Sequence, residues 1–291
     1  MKKIILDTDI GSDIDDALAL AYLLREPACE LLGITTVSGQ PLERAELASA
    51  LCCAAGREEI PIYPGIAQPF LGRQYQPKAP QAEKLPHWPH RTAFEENRAI
   101  SFLQRTIREN PGEVTLLAIG PMTNVAALFC MDREIPALLD GLVLMCGNFD
   151  GAAERPEWNA KCDWVASSIV YASGVKLHRS YGLNVTLQVG MPVGEVLPRM
   201  TGPVLSPAAD FAQTWIKRPE QTMYFHDPLA AVCLFEPEIC TYERGRVEVE
   251  ILPEGVSGRT ILHPCPDGGC EAAVSVDAER FFQRFFAVAG N

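Results

Sequence analysis

Five aspartates lie within ten residues near the N-terminus: Asp7, Asp9, Asp13, Asp15 and Asp16. They follow a short apolar run that predicts a buried strand over Ile4–Asp7. Carboxylates this close repel one another, and burying them without a partner costs free energy. Solvent, the N-terminus of a following helix, or a hard divalent cation bound through oxygen could hold them together. The position after a strand and the flexible Gly11 favour a binding site over a solvated acidic turn.

Two known aspartate motifs fit this segment poorly. A calcium-binding EF-hand loop needs Gly at its sixth position and Glu at its twelfth, but counting from Asp7 finds Ser12 and Leu18 there. The opening also resembles that of haloacid dehalogenase-like phosphatases, in which the first aspartate, here Asp7, is the nucleophile. In that family Thr or Val usually stands two residues after the second aspartate, where this sequence has Gly11. The phosphatase interpretation is therefore a disfavoured alternative.

Three further segments combine polar side chains with the expected start of a helix. His226-Asp227-Pro228 precedes an apolar stretch, where Pro suits the first helical turn and Asp suits the helix start. Glu157-Trp158-Asn159 ends an irregular loop, and residues 120–124 (Gly-Pro-Met-Thr-Asn) form a strand-to-helix turn. Helix formation alone would explain the first two segments, and the third is a weak signal by itself.

Short β-rich runs alternate with helical periodicity over residues 4–178. The predicted strands are Ile4–Asp7, Leu31–Val37, Ile60–Tyr63, Val114–Ile119, Leu142–Met145 and Val175–His178. The predicted helices are Asp15–Leu24, Pro41–Ala55, Phe94–Arg108, Thr123–Met131 and Trp164–Ala172. This alternation predicts an α/β fold, an open and mainly parallel twisted sheet with helices on both faces. Sites in such sheets form at the carboxyl ends of the strands, where the aspartates stand.

The rest of the chain is predicted to mix helices with a β-rich tail. Two or three helices lie between Val193 and Leu234; the tail has strands at Arg246–Leu252, Thr260–His263 and Glu271–Val276 and a helix from Ala278 to about Val288. Two segments without periodicity, Gln74–Arg91 and Asn148–Pro156, are expected to be loops. No linker or internal repeat interrupts the pattern, which predicts one domain over residues 1–291.

The composition limits the kinds of partner. The formal net charge is −12 and no Lys/Arg cluster suits a nucleic acid or an anionic membrane, so small-molecule substrates are expected. No apolar stretch approaches the roughly 20 residues of a membrane span, and the apolar run after Lys3 is too short for a signal peptide, so a cytoplasmic protein is expected. Most of the ten cysteines lie in apolar runs, which predicts buried free thiols. His263, Cys265 and Cys270 lack a fourth ligand for zinc.

Together, the aspartate cluster and the three other segments resemble the inosine-uridine nucleoside hydrolase family in order and spacing. The resemblance covers nearly the whole chain and includes Thr35-Thr36-Val37, Leu144-Met145, residues 183–186 (Leu-Asn-Val-Thr) and Val276-Asp277. It implies the nucleoside hydrolase fold, a Rossmann-like architecture. It also implies hydrolysis of the N-glycosidic bond of ribonucleosides to free base and ribose, and a homodimer or homotetramer. No redox cofactor is implied.

The resemblance further implies one Ca²⁺ at the bottom of a pocket. By position, its ligands would be the carboxylates of Asp9, Asp16 and Asp227 and the main-chain carbonyl of Ile119, an oxygen set that suits calcium. Asp9 would act as general base on a water activated by the cation, and this water would attack the anomeric carbon through an oxocarbenium-like transition state. His226 would lie near the nucleobase and could protonate it as it leaves.

The resemblance assigns the ribose hydroxyls to Asp15, Glu157 and Asn159. Met145 would pack against the ribose, although core packing explains it nearly as well. The family usually has one residue between the glycine and the aspartate pair, whereas this sequence has three, Ser12, Asp13 and Ile14. Asp15 is preferred as the ribose ligand because it belongs to the Asp-Asp-Ala step, and Asp13 is the alternative.

Two departures from the family pattern concern sugar recognition. Gln40 stands where the family has an Asn that helps to bind the ribose, and it offers the same amide on a longer stem. The loop Asn148–Pro156 usually supplies an Asn near the 5′-hydroxyl; Asn148 is the candidate, with Glu154 or Arg155 as alternatives. In the loop Gln74–Arg91, three side chains could stack on the nucleobase or be incidental to it: His87, Trp88 and His90.

Two alternatives stand beside a ribonucleoside hydrolase. The Gln40 departure motivates the same hydrolysis on a modified or different riboside. The same pocket could also serve a non-catalytic nucleoside-binding protein, although such a protein would not need to keep Asp9, Asp16 and Asp227 together. The sequence does not predict a preference for purine or pyrimidine bases.

Overall fold

A nine-stranded sheet forms the centre of the structure. The structure is a computed structural model and describes residues 1–151, 155–251 and 257–290. The strands of these residues are, in chain order, β1 (Lys2–Thr8), β2 (Cys29–Thr36), β3 (Ile62–Pro64), β4 (Val114–Ala118), β5 (Gly141–Met145), β6 (His178–Tyr181), β7 (Gly190–Pro192), β8 (Thr222–Tyr224), β9 (Cys240–Val249), β10 (Thr260–Pro264) and β11 (Cys270–Val276). Strands β7 and β8 form a small separate sheet, and the others form the main sheet in the order β10-β9-β11-β6-β5-β4-β1-β2-β3.

Helices connect most of these strands. In chain order they are α1 (Asp15–Arg25), α2 (Pro41–Ala54), α3 (Ala99–Glu109), α4 (Thr123–Met131), α5 (Ile135–Leu138), α6 (Trp158–Cys162), α7 (Trp164–Tyr171), α8 (Leu183–Thr186), α9 (Val193–Val196), α10 (Leu205–Ala212), α11 (His226–Cys233) and α12 (Ala278–Ala289). Three 3₁₀ helices span Pro80–His87, Leu197–Arg199 and Pro237–Ile239.

The main sheet is mostly parallel, as predicted. β1 pairs in parallel with β2 and β4, and the parallel pairing continues through β3 on one side and through β5, β6 and β11 on the other. β9 pairs antiparallel with β11 and with β10, and β10 forms one edge of the sheet. Parallel neighbours need crossover connections, which accounts for the alternation of strands and helices. The predicted α/β fold is confirmed.

Both faces of the sheet are covered, because successive residues of a strand point to opposite sides. Ile4 and Leu6 of β1 pack in one hydrophobic cluster with residues of α1, α2, α10, α11 and α12. Ile5, between them, packs in a second cluster with residues of α3, α4 and α7. The apolar run that predicted a buried strand is therefore buried on both faces.

The strand order reverses at β1. β2 and β3 extend the sheet on one side of β1, whereas β4, β5 and β6 extend it on the other. The connections that leave β1 and β4 therefore run in opposite directions, and a crevice opens at the carboxyl ends of these two strands. The aspartate-rich turn follows β1 directly, so the fold places it in this crevice.

The structure corrects two predictions around the second and third crossovers. The segment Gln74–Arg91 is not loop throughout, because it contains the 3₁₀ helix Pro80–His87. Helix α3 begins at Ala99 and not at Phe94, because Asn97 has φ +58°, which a right-handed helix excludes. Glu157-Trp158-Asn159 was expected at the start of a helix, but no range was predicted for α6, because its short length gives little periodicity to detect.

Two strands, β6 and β9, begin or end at least three residues away from their predicted ranges. β6 begins at His178, where the predicted strand ended, because its pairing with β5 starts with His178 opposite Leu142. β9 begins at Cys240, ahead of the predicted start at Arg246, because its first residues pair with β11. Leu252, the predicted end of that strand, lies outside the described residues.

Two expectations from composition can be compared with the structure. Among the described residues, no helix is long and apolar enough to cross a membrane. All ten cysteines are free, and seven of them are buried: Cys29, Cys52, Cys146, Cys162, Cys233, Cys240 and Cys270. The apolar runs around the cysteines thus predicted their environment for most of them.

Candidate active site

Four aspartates from distant parts of the chain meet at the carboxyl edge of the sheet. Asp9 follows β1, Asp15 and Asp16 form the first turn of α1, and Asp227 lies in the first turn of α11. All four are buried, and we call them the aspartate cluster. Ligand oxygens of Asp15, Asp16 and Asp227 lie within 4.8 Å of one another, close enough to share one metal ion.

Local hydrogen bonds hold the aspartate cluster in place. Asp16 Oδ1 accepts from the Thr8 hydroxyl at 2.5 Å and from the Asp9 amide at 3.2 Å. The Asp227 amide donates to Asp15 Oδ2 at 3.4 Å. Carboxylates in the first turns of α1 and α11 also lie at the positive ends of the helix dipoles. These contacts orient the carboxylates and leave Asp16 Oδ2 for a ligand.

The electrostatics of the aspartate cluster favour a cation. Burial raises the pKa of all four carboxyls, and repulsion from neighbouring aspartates raises the pKa of three of them further. The buried Arg44 lowers the pKa of Asp9, but its guanidinium donates to main-chain oxygens, those of Ile10 and Gly39 among them. A hard divalent cation fits this donor set, because it offsets the repulsion and accepts several oxygens.

The aspartate cluster lines a cavity of about 350 Å³. The predicted site residues that line it are Asp9, Asp15, Asp16, Ile119, Met145, Glu157, Asn159, His226 and Asp227. The remaining lining residues are Ser12, Asp13, Gln76, Trp158, Leu183 and Trp215. Carboxylates and amides bind hydroxyl groups, and indole and imidazole rings stack on flat rings. The cavity therefore suits a ligand that joins a polyhydroxylated part to a flat ring.

Asp7 takes no part in this cavity. It is fully buried, and its Oδ1 accepts from the Thr35 hydroxyl at 2.5 Å and from Asn124 Nδ2 at 2.7 Å. Burial raises its pKa to about 7. Asn124 also donates to the Thr36 carbonyl at 3.0 Å. The turn at residues 120–124 thus links the carboxyl ends of β1 and β2 through Asn124. The phosphatase alternative required a nucleophilic Asp7, and the buried, bonded carboxyl contradicts it.

Glu157 and Asn159 reach the cavity from the start of α6. Glu157 accepts hydrogen bonds from three main-chain amides at 2.7–3.0 Å, so it caps the helix while it lines the cavity. Burial raises the pKa of Glu157. Asn159 Nδ2 donates to the carbonyls of Ile119 at 2.8 Å and Met145 at 3.0 Å. The Asn159 Oδ1 is thus the group left to accept from a ligand, and the Ile119 carbonyl keeps its second lone pair.

His226 lines the cavity at the start of α11. Its Nδ1 lies 2.7 Å from the Thr186 hydroxyl, and its ring stacks on Tyr224 with centroids 5.4 Å apart. Burial lowers its pKa to about 4, so the ring is neutral at neutral pH. The ordinary histidine pKa assumed from the sequence does not apply to the free protein.

Two predicted sugar contacts lie away from the cavity. Gln40 has φ +57°, and its side chain donates to Glu43 at 2.8 Å and accepts from the Ala79 amide at 2.8 Å. Asn148 is tied to Thr260, whose hydroxyl accepts from the Asn148 amide at 2.8 Å. Neither residue lines the cavity. Glu154, an alternative to Asn148, lies outside the described residues.

The three ring side chains of residues 74–91 that could have stacked on a nucleobase are held elsewhere as well. His87 Nδ1 lies 2.7 Å from Asp210 Oδ2 in α10, and the Trp88 indole donates to the same oxygen at 3.0 Å. His90 Nδ1 lies 2.7 Å from the Trp88 carbonyl. None of the three lines the cavity, so this structure does not place them on a nucleobase.

Sequence reasoning missed several lining residues, of which Gln76 and Trp215 are the clearest. Gln76 lies in a segment without periodicity, and Trp215 lies in the range where helices were predicted between Val193 and Leu234. No family motif surrounds either residue, so no sequence signal distinguished them. Trp158 stands inside the predicted Glu157-Trp158-Asn159 motif, and its position between two cavity residues could have marked it.

Gly120, in the turn that follows β4, lies against Asp9. A Cβ there would lie 2.8 Å from Asp9 Oδ1 and 2.9 Å from the Asp9 amide nitrogen. We expect Gly120→Ala to displace the Asp9 carboxylate and to lower kcat by about 10²-fold, the effect of a roughly 1 Å misplacement. Steady-state kinetics would measure this. Gly269→Ala, where a Cβ meets nothing within 4 Å, is the matched control. A Gly120→Ala enzyme with unchanged kcat would contradict the expected displacement.

Known proteins similar to this chain point to one activity. The family model for inosine-uridine preferring nucleoside hydrolase matches residues 4–283. Uridine nucleosidase 1 of Arabidopsis thaliana is 30% identical over 274 residues, covering 86% of this chain and 78% of that protein. The pyrimidine-specific ribonucleoside hydrolase RihB of Escherichia coli is 29% identical over 287 residues, covering 89% and 87%. The solved purine-preferring ribonucleoside hydrolase from Gardnerella vaginalis has a TM-score of 0.85 at 26% identity, covering 99% of this chain and 98% of that chain.

These relatives are named for different bases but for the same kind of reaction. The family match runs from β1 to α12, so it includes the aspartate-rich turn and the start of α11. The resemblance inferred from the sequence is therefore confirmed. The chain belongs to the inosine-uridine preferring nucleoside hydrolase family and is an N-glycosyl hydrolase.

Proposed function

We propose that this nucleosidase depends on calcium and cleaves ribonucleosides to free base and ribose, with Asp9 as the general base. The aspartate cluster carries the proposal, because four buried carboxylates share a cavity with amide and aromatic side chains. Such a cavity offers oxygen ligands for a cation, acceptors for sugar hydroxyls and flat surfaces for a base.

Asp16 and Asp227 are the best-supported cation ligands, because both the family resemblance and the grouping of ligand oxygens include them. The resemblance adds Asp9 and the Ile119 carbonyl, which line the same cavity. The geometry instead groups Asp15 with Asp16 and Asp227, so Asp15 can reach the cation as well as a ribose hydroxyl. When bound, calcium would supply positive charge that lowers the pKa of the attacking water, and ligand positions for sugar hydroxyls. Calcium suits the site because every candidate ligand atom is oxygen.

Asp9 is the carboxylate that we assign to proton removal from the water. Burial raises its pKa, which makes it a stronger base than an exposed aspartate. Gln76 donates to its Oδ2, and its Oδ1 lies beside Gly120. The water that loses this proton would attack the anomeric carbon as the bond to the base breaks.

The remaining cavity residues would bind the two halves of the substrate. Glu157 and the Asn159 Oδ1 would accept from ribose hydroxyls, with Met145 packed against the ring. Trp158 and Trp215 supply flat surfaces on which a nucleobase can stack. His226 would donate a hydrogen bond from its neutral ring to the departing base, because its lowered pKa disfavours the charged form.

A homodimer or homotetramer and a cytoplasmic location complete the proposal. The oligomer is supported by the family resemblance alone. The location is supported by the ten free cysteines, since free thiols persist in reducing compartments.

The purified protein is expected to release equal amounts of free base and free ribose from at least one of inosine, uridine, cytidine and adenosine. Chromatography of the base and a reducing-sugar assay would measure the two products. The 2′-deoxy form of the best substrate is expected to react more slowly, because it lacks one hydroxyl for the site. Phosphate release from a generic ester is not expected, given the buried Asp7.

The same panel decides between the alternatives. Binding of a ribonucleoside without turnover, in a folded protein with calcium present, would favour a non-catalytic binding role. Neither binding nor turnover would favour a modified or different riboside. The Gln40 departure supports the latter less than the sequence indicated, because Gln40 lies away from the cavity.

A further inference from the structure

Gln76 connects Asp9 to Trp158 through one amide group. Its Nε2 donates to Asp9 Oδ2, and its Oε1 accepts from the Trp158 indole at 2.9 Å. Gln76 is itself buried and lines the cavity. We propose that Gln76 is a positioning residue for Asp9, and that Trp158 fixes the orientation in which Gln76 acts. The inference rests on the proposed role of Asp9 as general base.

The chemistry of the three groups permits only one orientation of the amide. An indole N–H donates and cannot accept, so it must face the oxygen of the Gln76 amide. An ionised carboxylate accepts and cannot donate, so Asp9 must face the nitrogen. Trp158 and Asp9 therefore select the same one of the two amide orientations. Without the indole N–H, a flipped Gln76 would present its oxygen to the Asp9 carboxylate and repel it.

The chain around Gln76 is built to hold this amide in place. We call residues 74–79 the strap. Gln74 Oε1 accepts from the main-chain N–H of Gln76 at 2.9 Å, and Gln40 Oε1 accepts from the main-chain N–H of Ala79 at 2.8 Å. Arg44 donates to the Lys78 carbonyl at 3.1 Å and also to the Asp9 carbonyl. Arg44 thus ties the strap and the aspartate-rich turn to one buried group.

This arrangement gives Gln40 a role other than sugar binding. The Gln40 side chain accepts a hydrogen bond from Ala79 in the strap, and the strap places the side-chain amide of Gln76 in the cavity. The donor from Gln76 occupies Asp9 Oδ2 and leaves Oδ1, beside Gly120, to accept the proton of the attacking water. Gln76 thereby fixes which oxygen of Asp9 works as the base.

Gln76→Met tests the inference, because methionine keeps the length of the side chain and removes both hydrogen bonds. We expect kcat to fall about 10- to 100-fold, the range for a lost hydrogen bond to a charged group. KM, the calcium Kd and the melting temperature are expected to stay close to wild type, because Gln76 holds neither the cation nor the fold. A merely structural role would lower the melting temperature and would not single out kcat.

Trp158→Phe tests the orientation, because it removes the indole N–H and keeps an aromatic ring. We expect a fall in kcat that disappears in the Gln76→Met background, since Trp158 acts through the amide. Gln81→Met is the matched control. Gln81 lies in the 3₁₀ helix that follows the strap, and its Nε2 donates to the Asp13 carbonyl at 2.7 Å without reaching Asp9. It is expected to lower stability with little change in kcat. Unchanged kcat in Gln76→Met, or fully additive effects in the double variant, would overturn the inference.

A spectroscopic readout separates this inference from the proposed function. The Trp158 indole N–H resonance, assigned by its loss in Trp158→Phe, is expected to shift in Gln76→Met and in Asp9→Ala but not in Gln81→Met. These shifts in a protein without turnover would refute the proposed function and leave the contact chain standing. Turnover in wild type, with no shift of this resonance in Gln76→Met or in Asp9→Ala, would support the proposed function and refute the contact chain from Trp158 through Gln76 to Asp9.

Discussion

Removal of divalent cations is expected to abolish nucleoside cleavage and to lower the melting temperature by several degrees, and calcium is expected to restore both. The aspartate cluster holds buried carboxylates whose pKa values are raised by burial and mutual repulsion. A cation that binds only the folded state stabilises it, by about 2.7 kcal/mol at 100 times its Kd. Differential scanning fluorimetry and a ribose assay, with chelator and with added calcium, would measure both effects.

Asp227→Asn removes one ligand charge from the proposed calcium site and keeps the shape of the side chain. We expect its calcium Kd, measured by titration calorimetry, to rise at least about 10-fold, as loss of a charge-assisted contact implies. Asp267→Asn is the matched control, because Asp267 is exposed and lies outside the cavity. Full activity in the presence of a strong chelator, or equal calcium Kd values for the two variants, would refute a calcium site in the aspartate cluster.

The central fold could be predicted because its elements carry strong hydrophobic patterns. The Thr123–Met131 helix was predicted to the residue, since a run of apolar side chains with few polar interruptions packs between other elements. The run at Ile4–Leu6 predicted a strand buried on both faces for the same reason. β6 was displaced by three residues, because a four-residue strand has too few positions for periodicity to fix its ends. Its range depends on its register with β5.

The candidate site was predictable where residues stand at element ends. Parallel strands bring their carboxyl ends to one edge, so Asp9, which follows β1, was expected at that edge, whereas the Ile119 carbonyl was assigned by family resemblance. The start of α11 could be placed beside them only by family resemblance. Gln76 could not be predicted, because residues 74–79 are positioned by the Ala79 amide, which donates to Gln40, and by Arg44, which donates to the Lys78 carbonyl, and both partners are distant in sequence. Nothing in the sequence indicated that the Gln40 side chain bonds to Glu43 and to the Ala79 amide and does not line the cavity.

Asp9→Asn is expected to lower kcat for the best ribonucleoside by about 10²- to 10⁴-fold, the usual range for loss of a general base. Asparagine keeps the size of aspartate but cannot take a proton at neutral pH. The asparagine side-chain oxygen, placed where Asp9 Oδ2 lies, can still accept from Gln76, so residues 74–79 and the cavity are expected to stay in place. KM should change little, because the sugar and base contacts come from other residues. Initial rates at saturating calcium would give kcat and KM.

The calcium dependence of Asp9→Asn separates its two proposed roles. Asp9 is assigned as a cation ligand by resemblance, whereas the grouping of ligand oxygens in the cluster comprises Asp15, Asp16 and Asp227. If Asp9 acts mainly as the base, raising calcium a hundredfold will leave the low kcat unchanged. If Asp9 acts mainly as a ligand, the same calcium will restore kcat toward wild type. Asp227→Asn provides the comparison, because its defect should respond to calcium. An Asp9→Asn enzyme rescued as fully as Asp227→Asn would remove Asp9 from the proton transfer.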